Sequence, residues 1–281
     1  MIMSPPHQRS TVACAIFTAL IFCLQVSAQS ALPTLSTEDE IRSDLMLAPC
    51  ESKQRAEAVI KLFQKMGASD SEITSEEIKG VRNILITKAG NENETIIVGA
   101  HYDKTAAGCG AIDNWTGIVI IAHLYRVLRT ANTHKNYLFV AFDKEESGLI
   151  GSATMARSIP KENRSSYCAM VNVDSFGLAQ PFALENASSA KLMALAKTSA
   201  ASLQLPFYTA RIDAGTSDSG SFIAGKIPGI TLSGLSQDWQ KVLHSRQDQA
   251  AKVNPGSVYL GYRLALLMWS QIDAQPCAAF R

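Results

Sequence analysis

The chain is 281 residues long, with a formal net charge of +1 and 18% charged residues. This near-neutral balance argues against nucleic acid or another polyanion as a partner. The hydrophobic fraction of 47% is that of a globular protein with a real core. Without repeats or low-complexity tracts, the length allows one large domain or two small ones.

The N-terminus has the pattern of a secretory signal peptide at residues 1–28. A short basic region precedes an apolar run at residues 11–26, and a small-residue cleavage site ends at Ala28. An uncleaved membrane anchor is the alternative, but the run is shorter than the ~20 apolar residues that a spanning helix needs. We therefore expect a secreted or periplasmic protein with no stable membrane association after cleavage. Residues 29–47 are expected to be a loose lead-in to one domain at residues 48–281.

Four cysteines remain after the signal peptide, at positions 50, 109, 168 and 277. An even number in an oxidising compartment favours disulfide bonds, and four cysteines can pair in three ways. We favour Cys50–Cys277, which would tie the two ends of the domain together, and Cys109–Cys168, which would brace a glycine-rich loop. The alternatives are four free thiols or Cys109 as a metal ligand, although metal-binding cysteines usually come in closely spaced pairs.

Apolar runs that are typical of buried strands alternate with helical patterns along the chain. The predicted strands are residues 81–87, 95–100, 136–142, 167–173, 206–212 and 227–233. The predicted helices are residues 51–66, 114–129, 148–157, 188–203, 219–224 and 255–272. This alternation indicates a layered α/β domain with a largely parallel sheet, and such sheets bind ligands at the carboxyl ends of their strands.

Three of the predicted buried strands end in side chains that can bind a divalent metal. These are His101 with Asp103, Glu145 with Glu146, and Asp174. Asp113 lies in the glycine-rich loop after His101, and His244 lies in a polar loop before the last helix. Taken singly, a histidine is more often structural, paired acids are usually solvated, and an aspartate beside a helix is often a cap. The repeated placement after three strands favours one shared metal site instead.

The residue types favour zinc, which imidazole and carboxylate groups bind together. Five ligands are more than one catalytic zinc requires, and two ions ~3.5–4 Å apart that share a carboxylate would use them all. Asp103, two residues after His101, can accept the other ring N–H of that imidazole. Of two adjacent glutamates, one can bind metal while the other acts as a general base.

Six sequence blocks carry a resemblance to a known family. They are VGAHYD, GAIDNWTG, FVAFDKEESGLIGS, VNVDSFG, SDSGSF with IPGITL, and HSRQD. In this order and spacing they resemble the secreted di-zinc aminopeptidases of metallopeptidase family twenty-eight, which also contains the glutaminyl cyclases. The resemblance extends from about Glu51 to the last helix. It implies a three-layer α/β/α sandwich with a mixed, largely parallel central sheet of about eight strands.

The resemblance also implies a role for each candidate residue. His101 and Asp174 would bind one Zn²⁺, Glu146 and His244 the other, Asp113 would bridge the two ions, Asp103 would orient His101, and Glu145 would be the general base. The sequence departs from many relatives at Cys109 and at Ser175, neither of which is an expected ligand.

The implied function is that of a metallo-aminopeptidase acting on peptides with a free N-terminus. A hydroxide bridging two zinc ions would attack the first peptide bond, with Glu145 as the base. A glutaminyl cyclase, which works with a single zinc on the same fold, has an overlapping ligand set, so the motifs do not separate the two. A non-catalytic binding domain would require lost ligands, and none of the expected ligands is missing here.

Overall fold

The computed structural model describes residue 1 and residues 34–75, 77–212 and 215–281. Apart from Met1, the predicted signal peptide at residues 1–28 lies outside the described residues. Among the helices that are described, none is long and apolar enough to cross a membrane.

The described residues form eight strands and seven helices. The strands are β1 (Ile73–Thr74), β2 (Ile84–Lys88), β3 (Thr95–His101), β4 (Asn136–Phe142), β5 (Tyr167–Val173), β6 (Phe182–Leu184), β7 (Tyr208–Ala210) and β8 (Gly229–Ser233). The helices are α1 (Glu38–Leu45), α2 (Ser52–Lys65), α3 (Thr116–Leu128), α4 (Ile150–Ser158), α5 (Ala190–Ser202), α6 (Asp218–Ala224) and α7 (Pro255–Asp273).

The eight strands form one mixed sheet in the order β1-β2-β4-β3-β5-β8-β6-β7. The central strands β4, β3, β5 and β8 run parallel to one another, whereas β2 and β6 pair with them antiparallel. The predicted α/β class and mixed sheet are therefore confirmed. The chain places β4 on one side of β3 and β5 on the other, and a crevice opens where the strand order reverses in this way.

Helices cover both faces of the sheet, which explains why the central strands are apolar along nearly their whole length. Alternate residues of β3 face opposite sides, so Ile96 and Val98 belong to one buried cluster and Ile97 to another. The larger cluster packs the sheet against α1, α2, α3, α5 and α7, and the smaller one against α4 and α6. The crevice at the strand ends thus stands on a rigid three-layer core.

The described part of the expected lead-in contains a helix, α1. Thr37 caps it in a capping box with Glu40: each side chain accepts from the backbone N–H of the other residue. Ile41 and Leu45 are buried in the main core. The segment therefore packs as part of the domain, which differs from the loose segment expected from its polar composition.

A buried polar chain ties α1 to α3. His123 Nδ1 lies 2.8 Å from Ser36 Oγ, and His123 Nε2 lies 3.2 Å from Asp44 Oδ2. Lys65 Nζ also donates to Asp44, at 2.5 Å. Burial alone would raise the pKa of Asp44, but the hydrogen bonds from His123 and Lys65 outweigh it and lower that pKa. Ser36 and His123 are at most 1% exposed, so this serine–histidine–aspartate chain is structural and out of a substrate's reach.

The disulfide pairing differs from the prediction. The bonds are Cys50–Cys109 and Cys168–Cys277, so the predicted Cys50–Cys277 and Cys109–Cys168 pairs are wrong. Cys168 lies near the start of β5, ~20 Å along the strand from the metal-site end, where Cys109 lies. A disulfide needs Cα atoms within about 7 Å, which those two residues do not reach. Cys109 does brace the glycine-rich loop, but against the start of α2.

We expect Asp44→Asn to destabilise the protein by about 2 kcal/mol at neutral pH, because it leaves the buried His123 without its carboxylate. A lowered folded-state pKa gives stability that is present above the ordinary aspartate pKa and is lost as pH falls through the folded value. The deficit should therefore stay constant between about pH 7 and about pH 5 and shrink as the pH falls below about 4, in urea unfolding followed by circular dichroism. Asp39→Asn on the same helix is the control, since Asp39 is 91% exposed. A deficit that does not change with pH would contradict this account.

Candidate metal centre

Three neighbouring parallel strands deliver the candidate ligands to one edge of the sheet. His101 is the last residue of β3, Glu145 and Glu146 follow β4, and Asp174 directly follows β5. Because β3 lies between β4 and β5, the carboxyl ends of the three strands meet at the crevice. The structure thus brings together side chains that are far apart in the sequence.

Asp113 occupies the centre of this group. Its Oδ1 lies 3.0 Å from His101 Nε2, and its Oδ2 lies 3.1 Å from His244 Nε2. Asp113 is buried, whereas the His244 side chain is 54% exposed and forms part of the rim. One carboxylate therefore presents a separate oxygen to each of two imidazoles.

Each imidazole also faces a second carboxylate. His101 Nε2 lies 3.5 Å from Asp174 Oδ1, and His244 Nε2 lies 3.1 Å from Glu146 Oε2. A ring nitrogen carries at most one hydrogen and cannot donate well to two carboxylates at once. Two such imidazole–carboxylate groups, joined through Asp113, are arranged as two adjacent ligand sets.

The donor set fits divalent metal ions. The ligand atoms of His101, Asp113 and Glu146 lie within 4.8 Å of one another, as do those of His101, Glu145 and Asp174. Glu146 Oε1 is buried with no hydrogen-bond partner among the described residues, which is costly unless a cation faces it. Imidazole nitrogen and carboxylate oxygen are the ligands that zinc binds in proteins.

The side chains alone show strongly displaced pKa values. Burial raises the pKa of Glu145 to about 10 and that of Glu146 to about 7. Burial also acts to raise the pKa of Asp113, but hydrogen bonds from His101 and His244 hold it well below its ordinary value. The hydrogen bond to Asp113 raises the pKa of His244 to about 9. A bound metal ion would add the largest local charge and favour anionic carboxylates and neutral imidazoles.

Asp103 connects the first two loops of the site. Its Oδ1 lies 3.4 Å from His101 Nδ1, and its two oxygens accept the backbone N–H groups of Glu145 and Glu146 at 3.0 and 3.1 Å. The predicted partner of His101 therefore also holds the segment that carries the two glutamates. Its position couples the orientation of the imidazole to that of the second loop.

Asp248 holds the loop that carries Asp113. Its side chain accepts the backbone N–H groups of Ile112 and Asp113 at 2.7 and 3.2 Å, and its carbonyl accepts that of Cys109 at 2.8 Å. Gly108 packs closely against the His244 loop: it has a φ of +68°, and an added Cβ would lie 2.4 Å from the carbonyl oxygen of Ser245. Only glycine fits there without displacing one of the two loops.

Hydroxyl and amide groups fix Asp174. Ser217 Oγ donates to its Oδ2 at 2.5 Å, and Ser175 Oγ donates to its Oδ1 at 3.0 Å. Asn114, next to Asp113, accepts the N–H of Ser175 at 3.0 Å and donates to the carbonyl of Val173 at 2.9 Å. Ser175 is thus part of the support for Asp174.

Three of the seven described non-glycine residues with positive φ lie at the site. Lys144, Ser175 and His244 have positive φ values of 57°, 58° and 57°. Such left-handed conformations cost non-glycine residues about 1–3 kcal/mol each and persist where the surrounding structure enforces them. One of these residues precedes Glu145, one follows Asp174, and one is His244 itself, so each strained residue aims a candidate ligand or base.

A cavity of about 130 Å³ opens beside the candidate ligands. Asp113, Glu145, Asp174 and His244 line one end of it. Its apolar wall consists of Leu184, Ile212, Leu235, Trp239 and Leu243. This is small for a whole ligand, so the cavity suits one side chain of a larger substrate. Trp239 thus lines the cavity, whereas Phe222 is buried in the core.

Sequence reasoning missed Arg55, which lies beneath the metal loop. Its side chain is fully buried, yet it belongs to an otherwise amphipathic helix with exposed lysines and glutamates. The available signal was its position, four residues before Val59 on the apolar stripe of α2. A charged residue on a buried stripe needs polar partners, and these proved to be carbonyl groups of the metal loop.

Comparison with known proteins identifies the family. A profile described as "Peptidase family M28" matches residues 83–266, which is more than half of the chain and includes every candidate ligand. The chain therefore belongs to peptidase family M28, and the predicted resemblance is confirmed.

Individual relatives agree with this family. The chain is 33% identical over 131 residues to leucine aminopeptidase 1 of Chaetomium globosum, an alignment covering 41% of this chain and 32% of that protein. The chain thus spans about a third of the length of this curated relative.

Solved structures share the fold. A zinc aminopeptidase of Bacillus subtilis superposes with a TM-score of 0.61 at 20% identity over 68% of this chain and 49% of that one. A glutaminyl cyclase of an Acidobacteriales bacterium gives a TM-score of 0.74 at 14% identity over 88% of this chain and 98% of that one.

We expect Asp113→Ala to lose most of its bound metal, because the substitution removes the one side chain that faces both imidazoles. Metal analysis of the purified variant by mass spectrometry measures this loss directly. Asp238→Ala is the control, since Asp238 is 74% exposed and is not among the residues that line the cavity. A normal metal content in Asp113→Ala would refute the bridging position.

Proposed function

We propose that this protein is a zinc-dependent aminopeptidase that hydrolyses the N-terminal peptide bond of its substrates. The observation that carries the proposal is Asp113, set between two imidazole–carboxylate groups at the mouth of a cavity. The M28 membership supports it, as do a relative named leucine aminopeptidase and a similar structure named zinc aminopeptidase.

We assign one zinc ion to His101 and Asp174 and a second to His244 and Glu146, with Asp113 shared between them. Zinc would supply Lewis acidity, which polarises a carbonyl group and lowers the pKa of water from 15.7 towards ~7. The ligand pairing follows the short distances within each group. Pairs of metal ions about 3.5–4 Å apart occur in several classes of hydrolytic enzyme, including aminopeptidases.

Glu145 is the proposed general base. It lines the cavity, where its carboxyl group lies within 4.8 Å of ligand atoms of His101 and Asp174, while its neighbour Glu146 faces His244. Its carboxylate would accept a proton from the attacking water and then deliver that proton to the nitrogen of the leaving amine. The hydrogen bonds from the backbone amides of Glu145 and Glu146 to Asp103 hold the segment that carries both side chains.

The cavity also supports a requirement for a free N-terminus. Three carboxyl groups and the imidazole of His244 line the cavity, so a zinc ion held by them would face the α-amino group of a bound N-terminus. Other lining residues are apolar and would receive an apolar side chain of the N-terminal residue. The volume of about 130 Å³ suits that one side chain.

The second candidate function is glutaminyl cyclisation. The similar glutaminyl cyclase structure is covered over 98% of its length, which shows that the same fold without further domains occurs in that class. A cyclase needs a single zinc, whereas this site has an imidazole on each side of Asp113. We therefore favour hydrolysis.

We also propose that the protein works outside the cytoplasm. Its two disulfide bonds are stable in oxidising compartments, which supports the export suggested by the N-terminal sequence. Peptides with a free N-terminus are the proposed substrates.

Glu145→Gln should keep its zinc and its fold but lose turnover by ~10²–10⁴-fold, because the amide cannot accept the proton. The adjacent Glu146→Gln is the matched variant and should lose zinc as well as turnover. Steady-state kinetics on a leucine amide, combined with metal analysis, separates the two. Near-normal turnover in Glu145→Gln would eliminate it as the base.

A substrate panel tests the reaction class. Leucine p-nitroanilide should be cleaved at least ~10-fold better than aspartate p-nitroanilide, because the apolar wall offers an acidic side chain no partner. Acetyl-leucine p-nitroanilide should not be cleaved, and a zinc chelator should abolish all turnover. Release of ammonia from a peptide with N-terminal glutamine, without cleavage of the leucine substrate, would establish cyclisation instead.

A further inference from the structure

Arg55 binds the loop between His101 and Asp113 at both of its ends. Its Nε donates to the carbonyl of Tyr102, the residue after His101. Its Nη1 donates to the carbonyl of Cys109 at 2.9 Å and its Nη2 to that of Gly110 at 3.1 Å. One rigid guanidinium group therefore fixes both ends of the loop that separates His101 from Asp113.

The rest of the contacts fix the guanidinium itself. Nη1 donates also to the carbonyl of Pro49 at 2.9 Å, just before the disulfide residue Cys50. The Cζ atom lies 5.7 Å from the centre of the Trp115 ring, at a distance where cation–π attraction acts. Arg55 is fully buried, so its geometry does not depend on solvent.

The charge of Arg55 is as unusual as its geometry. All four hydrogen-bond acceptors are neutral carbonyl groups, and no carboxylate among the described residues pairs with the guanidinium directly. Burial lowers its pKa to about 10, while Asp103, Asp248 and other carboxylates of the site act against that fall. The side chain is thus cationic at neutral pH and lies behind the acidic site.

We propose that Arg55 is a positioning residue that pre-forms the metal loop and thereby sets the zinc affinity of the site. It acts through the Tyr102, Cys109 and Gly110 carbonyls and touches neither ligand nor substrate. The inference rests on the proposed zinc site but concerns a residue outside it.

Lysine cannot replace this function. An ammonium group carries three donors at one point and cannot span carbonyls at both ends of the loop and at Pro49 together. Arg55→Lys keeps the positive charge and leaves at least one buried carbonyl without a partner. Comparison of this variant with wild type therefore separates the role of the branched guanidinium geometry from the role of the positive charge.

The test compares zinc dissociation constants by competition with a fluorescent chelator, for wild type, Arg55→Lys and Lys135→Met. Lys135 is the matched control, because it is buried and paired with Glu94 at 3.1 Å, at the opposite end of β4. We expect zinc binding to weaken ~10–100-fold in Arg55→Lys and to stay within about twofold of wild type in Lys135→Met. Excess zinc should restore most of the turnover of Arg55→Lys, with little change in KM.

An unchanged zinc affinity in folded Arg55→Lys would overturn the inference and leave the proposed function intact. Absence of zinc binding by wild type would instead overturn the proposed function. If the variant does not fold, hydrogen exchange of the unmodified protein decides. The amide of Cys109 donates to the carbonyl of Asp248 and that of Trp115 to the carbonyl of Gly110, and both amides should stay protected after zinc is removed by a chelator. Their exchange at unfolded rates would show that the loop is not pre-formed and would overturn the inference.

Discussion

The two oxygens of Asp113 face two different imidazoles, and this arrangement sets the demands on the rest of the structure. A carboxylate can serve two centres only if both partners arrive at opposite sides of it within ~3 Å. His101 comes from the end of a central strand, and His244 comes from a distant loop more than a hundred residues later. The reversal of strand order beside β3 opens the crevice in which the two meet.

The carboxylates of the site lie close together and repel one another. Backbone N–H groups that donate to them offset part of this repulsion. Asp103 and Asp248 each accept two backbone N–H groups, and in both cases those groups belong to segments carrying other candidate ligands or the base. Hydrogen bonds to an anion are stronger than neutral ones, so each carboxylate orders a loop while the loop stabilises its charge. Substitution of Asp103 or Asp248 should consequently disturb the position of more than one candidate ligand.

The sequence predicted the features that follow from local pattern. The buried strands ending at His101 and Asp174 are long apolar runs, and their period and length identified them. Strand β6, only three residues long, left no such pattern. Helix α1 did carry a local signal, the spacing of Thr37 and Glu40, but its polar composition obscured it. The meeting of the candidate side chains could be anticipated because parallel strands share an edge, which is a rule of topology rather than of any one residue.

What the sequence could not provide was the choice among chemically equivalent partners. Cys109 could pair with any of three cysteines, and only the length of β5 excludes Cys168, which requires knowing which edge each residue occupies. His123 and His101 are both buried histidines beside aspartates, yet one packs between helices and the other lies at a strand end beside Asp113 and Asp174. The residue type therefore defines which chemistry a side chain can perform. Whether the side chain belongs to the site depends on its position relative to the strand ends. The partners of the buried Arg55 could not be predicted for the same reason. They are backbone carbonyl groups, which every residue carries, so only the fold shows which of them Arg55 contacts.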